Sequence, residues 1–279
     1  MSHDNKDDVT PDAGIFLTKG MKVSIPSFSI SIGDDGSLSS DPVTLHTSTD
    51  MCHYWIDIAY QHLIDTESAH NELMTAKDQK DDENIAASLQ KEFVSGMQAI
   101  VAAGVAIDAY YASVKSHIEI PKDLMKIWRE KGTARYRQIA EVLRQAFPIR
   151  QDSARKLRAI LKQNLTFRDM AVHPTYGTTS PQLHVELNKF TDWRYTTFRF
   201  ANAKTIVGLT LSIFYQTASN PRKKKYPRLR TYCSELVVAL APILRVWTER
   251  YGELFGQSSK KTVQPIAAKL ARKLLGIQE

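Results

Sequence analysis

The stretch Ala99-Ile100-Val101-Ala102-Ala103-Gly104-Val105-Ala106-Ile107-Asp108-Ala109-Tyr110-Tyr111-Ala112 decides the fold class. Small residues recur at 99, 102, 103, 106 and 109 with Gly104 among them, the three-and-four spacing of one helix face. Such a face lets a neighbouring helix approach closely. The run belongs to a long helix expected over about 84–117, ended by the break at Pro121. Upstream, Trp55, Ile58, Ala59, His62 and Leu63 recur at helical spacing from a cap at Thr49 or Asp50, and this helix runs to about Lys77. Downstream, helices over 122–146 and 152–164 are separated at Phe147-Pro148. A short helix then carries Arg168 to His173 and stops at Pro174, because proline disfavours the α conformation at the residue before it.

Leu183, Val185 and Leu187 alternate with polar residues, as do Thr196, Phe198 and Phe200, which predicts a β-hairpin over 183–200 with His184 as a surface strand residue. Helices over 201–218, 231–255 and 263–275 follow, the first two joined by the basic segment 222–230. At the other end, residues 1–14 are acidic and without periodicity, as in a disordered segment. Val23, Ile25, Phe28, Ile30 and Ile32 then give a β signal, Asp34-Asp35-Gly36 a turn, and 43–46 a partner strand. The expected architecture is therefore mainly α: a helical bundle with a small β-hairpin elaboration and an N-terminal β segment. Its parts are an acidic arm at 1–49, a helical domain at 50–220, and a basic linker with C-terminal helices at 221–279.

Several function classes lack a signature. No run approaches the roughly 20 apolar residues of a membrane span, since the stretch Ile206 to Tyr215 is interrupted by Gly208, Thr210 and Ser212. The polar, acidic start Ser2 to Asp8 has the wrong chemistry for a secretory signal. Two cysteines, Cys52 and Cys233, make no disulfide framework, so a reducing cytoplasm is the expected compartment. His53, His62 and His70 are spaced by 9 and 8 rather than as the i, i+4 pair of a helical zinc site. No phosphate-cradling glycine loop is present, and neither a metal nor a cofactor is expected.

Charge is segregated along the chain. Residues 1–100 hold 6 Lys and Arg against 17 Asp and Glu, a net of −11; residues 101–279 hold 31 against 13, a net of +18. One surface facing a polyanion such as RNA accounts for this. So does mutual neutralisation of the two halves, in the fold or in a dimer.

The residues that carry chemistry are Arg168, Asp169 and His173. On a wheel of about 100° per residue, Asp169 and His173 are i, i+4 neighbours while Arg168 lies on the flank, about 140° from His173. A guanidinium can hold phosphate oxygens in a bidentate way, and an imidazole can move a proton near neutral pH. The same spacing also describes a solvated helix end with an incidental histidine.

In its surroundings this run resembles the HEPN superfamily, helical bundles with an Arg-x4-6-His motif and a polar residue usually following the arginine. The match is Arg168, Asp169 and His173, followed by Pro174. Ala106 to Tyr111 is similar to the earlier core helix of that family, which often carries an acidic residue near the place of Asp108. Thr197 to Ala203, leading into an apolar helix, is similar to its closing part. The resemblance spans roughly residues 50–220. It implies a metal-independent RNase acting as a homodimer, the two motifs facing each other, in a toxin or phage-defence role with an antitoxin or regulatory protein as partner. Arg168 would hold the scissile phosphate, His173 would act as acid or base, and Asp169 would orient His173. Arg158, Lys162, Asp108 and Tyr176 are the candidates for substrate binding, although Asp108 reads equally well as a hydrogen-bonded helix residue. Some toxin members read Arg-x4-His-x-Tyr, whereas here Thr175 takes that place and the tyrosine follows at Tyr176. A catalytically inactive module that binds nucleic acid or protein is the alternative.

Overall fold

A computed structural model describes residues 21–25, 27–41, 43–173, 179–222 and 225–254. The chain divides into two compact units, residues 1–50 and 51–279. In the first, β1 (Met21–Ser24) pairs antiparallel with β4 (His46–Thr49), and β2 (Ile30–Ile32) pairs with β3 (Leu38–Ser40), one ladder nested inside the other. The inner turn closes through Gly33 N–H to Ser37 O at 2.8 Å, with Gly36 at φ +78. The second strand of the outer ladder therefore begins at His46, the last residue of the expected 43–46 segment.

The second unit is the helical bundle. Its elements are α1 (Cys52–Gln79), α2 (Asp82–Ser116), α3 (Lys122–Glu130), α4 (Arg135–Ala146), α5 (Gln151–Val172), a hairpin of β5 (Gln182–His184) and β6 (Lys189–Thr191), α6 (Trp193–Thr197), α7 (Phe200–Ala218) and α8 (Pro227–Tyr251). Asp81 starts α2, its carboxylate accepting the Asn84 N–H at 3.1 Å. Helix α1 lacks such a cap, because its N-cap residue is Met51 rather than Thr49 or Asp50. Ala99, Ala102, Ala103 and Ala106 are all buried, and α2 packs against α1, α4, α5, α6 and α7. By length and composition α2 could cross a membrane, but 61% of its most apolar window is buried within the bundle.

Three elements differ from the sequence reading. The helix expected over 122–146 is two helices, broken at Gly132, which adopts φ +55 while Thr133 N–H turns back to Trp128 O at 2.9 Å. The helices expected at 152–164 and at Arg168 to His173 are one, α5, since Leu157, Leu161, Asn164 and Leu165 continue a single buried face. Asn164 does not interrupt it, because its side-chain amide donates to Thr210 Oγ1 at 3.0 Å. Thr196, Phe198 and Phe200 form no strand. The Asp192 carboxylate accepts the Arg194 N–H at 2.9 Å and starts α6, after which Phe198 is fully buried against Phe93 and Trp193.

After the basic segment the chain returns to the same core rather than to a separate body. Leu229, Tyr232, Leu236, Leu240, Ile243 and Trp247 of α8 lie in the main apolar cluster. Trp247 fits against Gly208, where an added Cβ would lie 2.9 Å from the indole Cζ2. The expected disorder at 1–14 and the helix expected at 263–275 lie outside the described residues.

Gly96 sets the contact between α2 and the α6–α7 corner, because a methyl group there would meet the Phe198 backbone carbonyl oxygen. Gly104 instead faces the aliphatic stem of Arg168, which can shift. Gly96→Ala is therefore expected to lower unfolding stability by about 3 kcal/mol, and Gly104→Ala by clearly less. Urea denaturation of both variants checks this, and equal losses would count against it.

Candidate functional site

Arg168 lies in the penultimate turn of α5 and faces α2. Its stem lies over Gly104, with the ideal Cβ position of that glycine 3.0 Å from Arg168 Cδ. The guanidinium donates from Nη1 to Asp108 Oδ2, and from Nε and Nη2 to Asp169 Oδ1 at 3.0 and 2.8 Å. Only 22% of the Arg168 side chain is exposed. Burial works against its charge, but the hydrogen bond to Asp169 and the charges of Asp108 and Asp169 hold its pKa above the usual arginine value.

Asp108 is shared. Its second oxygen, Oδ1, accepts from Arg135 Nε at 2.7 Å, and the Arg135 guanidinium carbon lies 4.1 Å from the centroid of the Tyr111 ring. Asp108 is thus a bridge between α2, α4 and α5. The sequence reading missed Arg135 and Tyr111. Arg135 is one of several arginines around the start of α4, and nothing local distinguishes it; only the packing of α4 on α2 brings it to Asp108.

His173 sits where α5 ends. Its N–H donates to Asp169 O at 2.8 Å, and its own φ of −125 and ψ of 61 are no longer helical. The residue is exposed, and its ring makes no hydrogen bond among the described residues. The expected side-chain pairing of Asp169 with His173 is therefore not formed. Having left the helix, His173 loses the i, i+4 position, and the Asp169 carboxylate takes the adjacent guanidinium through charge-assisted hydrogen bonds. Arg158 and Lys162 are exposed on α5. Tyr176, Pro174 and Thr175 lie outside the described residues.

A second polar cluster was missed altogether. His184 is not a surface residue: its side chain is 0% exposed. Strand β5 instead exposes Leu183, and Val185 after it is also exposed. Around His184 stand groups from four segments. His70 of α1 lies 3.0 Å from Glu92 Oε1 of α2, and the same oxygen accepts the Phe200 N–H at 2.8 Å. Glu186, in the hairpin turn, accepts from Arg199 Nη1 at 2.5 Å, and its Oε2 lies 3.4 Å from His184 Nδ1. Neither ring nitrogen of His184 has a hydrogen-bond partner among the described residues, and the same holds for Glu92 Oε2 and Glu186 Oε2.

Among the described residues, no three His, Cys, Asp or Glu side chains are placed to hold a metal ion. Cys52 and Cys233 are free and buried, and burial pushes the Cys233 thiol up to about 12, which keeps it an unreactive thiol. Comparison with protein-family models, with curated proteins and with solved structures finds no match.

Half-buried His70 and buried His184 have opposite pH dependences. The hydrogen bond to Glu92 raises His70 above its usual value, against burial. Its stabilising effect is full below about pH 6.5 and is lost as pH rises through the raised value. Burial lowers His184, against the charges of Glu186 and Glu92. Its contribution is present above about pH 6.5 and is lost as pH falls through the lowered value. Melting temperatures measured from about pH 5 to about pH 8 are expected to show less loss on the acid side in His184→Gln than in the parent, and a flatter alkaline limb in His70→Gln. Profiles parallel to the parent would overturn this.

Proposed function

We propose that the chain is a metal-independent endoribonuclease of the HEPN type that works as a homodimer. The observation that supports this reading is the fixed position of Arg168, held by Asp108 and Asp169 one turn from an exposed His173 at the end of the same helix. A guanidinium so placed is preorganised for a phosphodiester, and preorganised charge costs little to arrange at the moment of reaction. His173 supplies proton transfer near neutral pH.

In the proposed reaction, the RNA 2′-oxygen loses its proton to a base and attacks the adjacent phosphorus. The 5′-oxygen leaves and takes a proton from an acid, giving a 2′,3′-cyclic phosphate and a 5′-hydroxyl. Arg168 offsets the charge that develops on the non-bridging oxygens. The step needs both a base and an acid, and among the described residues one chain offers a single exposed histidine beside Arg168. A second copy, contributing its own His173, completes the pair. This is the reason for the dimer.

A second reading is a non-catalytic module that binds RNA. It is favoured by the pairing of Arg168 with two carboxylates, an arrangement that also serves to tie α5 to α2. The excess of charge on residues 121–172, 13 Lys and Arg against 5 Asp and Glu or a net of +8, fits either reading.

The purified protein is expected to cut single-stranded RNA in the presence of a chelator. His173→Ala and Arg168→Ala should each lower kcat by at least about 100-fold with the fold retained by circular dichroism. Full activity in either variant would sink the catalytic assignment. Salt-sensitive RNA binding without cleavage by the parent protein would favour the second reading.

A further inference from the structure

Helix α4 opens with Arg135-Tyr136-Arg137. Arg135 is committed to Asp108, but its two neighbours belong to a different patch. The Tyr136 hydroxyl accepts a hydrogen bond from Arg137 Nε at 3.1 Å. That bond, and then the charges of Arg137, Lys162 and Arg158, hold the phenol below its ordinary range. Arg158 and Lys162 belong to α5, which packs against α4. Arg137, Arg158 and Lys162 are all exposed, and none forms an ion pair among the described residues. Glu141, the carboxylate that also feels Arg158, is engaged by Arg144 at 2.7 and 2.9 Å and by Gln145 at 3.0 Å. Two other exposed cations of the bundle are matched, Lys91 by Glu72 and Lys189 by Asp82. Arg137, at the Tyr136 hydroxyl, and Arg158 and Lys162, one turn apart on the helix that packs against α4, are thus three exposed cations without an ion pair among the described residues. Like charges gathered in this way repel one another in the free protein, and an anion relieves that repulsion.

The patch is also aligned with the site. Positions 158, 162 and 169 follow one another at three- and four-residue steps, allowing one further step at Thr166, and His173 caps the end of the same helix. The three positions therefore mark one side of α5. At about 1.5 Å per residue, Lys162 lies about 16 Å along the axis from the end of the helix at His173. A stacked strand rising about 3.4 Å per nucleotide covers that distance in about five nucleotides.

We infer that Tyr136, Arg137, Arg158 and Lys162 form a subsite for single-stranded RNA about five nucleotides from His173, with the strand running along α5. The inference rests on the proposed reading only for the direction of the strand, toward His173. The cations hold phosphate oxygens and carry no sequence information, and the ring of Tyr136 offers a face for a base. An extended strand suits a linear row of guanidinium and ammonium groups.

The test uses the full chain and a fluorescent 2′-O-methyl single-stranded RNA of about ten nucleotides, which binds without being cut. The parent should bind it, and a three-nucleotide version should bind at least about tenfold more weakly. The triple variant Arg137→Ala, Arg158→Ala, Lys162→Ala should weaken binding of the longer strand at least about tenfold and lower the slope of log affinity against log salt by about 2. All three residues are exposed, so the melting temperature should stay unchanged. Tyr136→Phe should bind like the parent, and Tyr136→Leu should bind less well. An unchanged salt slope in the triple variant, binding independent of strand length, or equal affinity for poly-glutamate would overturn the subsite. If the parent binds as described but cuts no RNA, the catalytic reading fails and the subsite stands. If it cuts RNA and the triple variant has an unchanged KM, the subsite fails and the catalytic reading stands.

Discussion

The close approach of helices to α2 is the constraint on which the rest of the bundle depends. Its buried alanines and glycines present almost no side chain, so α1, α4, α5, α6 and α7 can all pack against one rod. The same property sets the site. With no Cβ at Gly104, the stem of Arg168 lies directly on the α2 backbone and its guanidinium reaches Asp108 one turn further along. A larger residue at that point would move the arginine, not merely loosen the core. Packing and placement of charge are here one requirement.

The charged groups around that contact fall into two kinds. Arg168 and Arg135 are matched by Asp108 and Asp169, in a network that is neutral and partly shielded from solvent. Breaking such a network by removing one partner leaves a charge without compensation, which is costly when the group is half-buried. Arg137, Arg158 and Lys162 are the other kind, exposed and unmatched. The first arrangement positions a guanidinium, and the second leaves charge free to meet a polyanion. Both occur within a few turns of α4 and α5.

The hairpin after α5 follows a different logic. Simple alternation places Leu183 and Val185 inward and His184 outward, but β5 does the reverse. A shift of one residue exchanges every side chain between the two faces of a strand. The choice here was made by partners far away in sequence, His70 on α1, Glu92 on α2 and Arg199 at the start of α7, which surround the inward face. No local pattern carries that information. Leu187 alone of the three apolar positions is buried, against Leu73 and Leu89.

The sequence by itself determined the mainly helical class, the small-residue face of α2, the N-terminal β segment and the α7 helix, because each rests on a period of two or of three to four residues. It also singled out Arg168, from its spacing to His173, while Asp108 came into view only through the family resemblance and read equally well as a helix residue. The tertiary structure decided what those residues touch. It joined two expected helices into α5, since a continuous buried face overrides a weak local break. It split 122–146 at Gly132, where a left-handed turn was needed. It gave Asp169 to Arg168 rather than to His173, because His173 leaves the helix at its last turn and an adjacent guanidinium is the stronger partner. It also turned His184 inward. Periodicity is a local property and can be read along the chain, whereas the choice among charged partners depends on which helices meet.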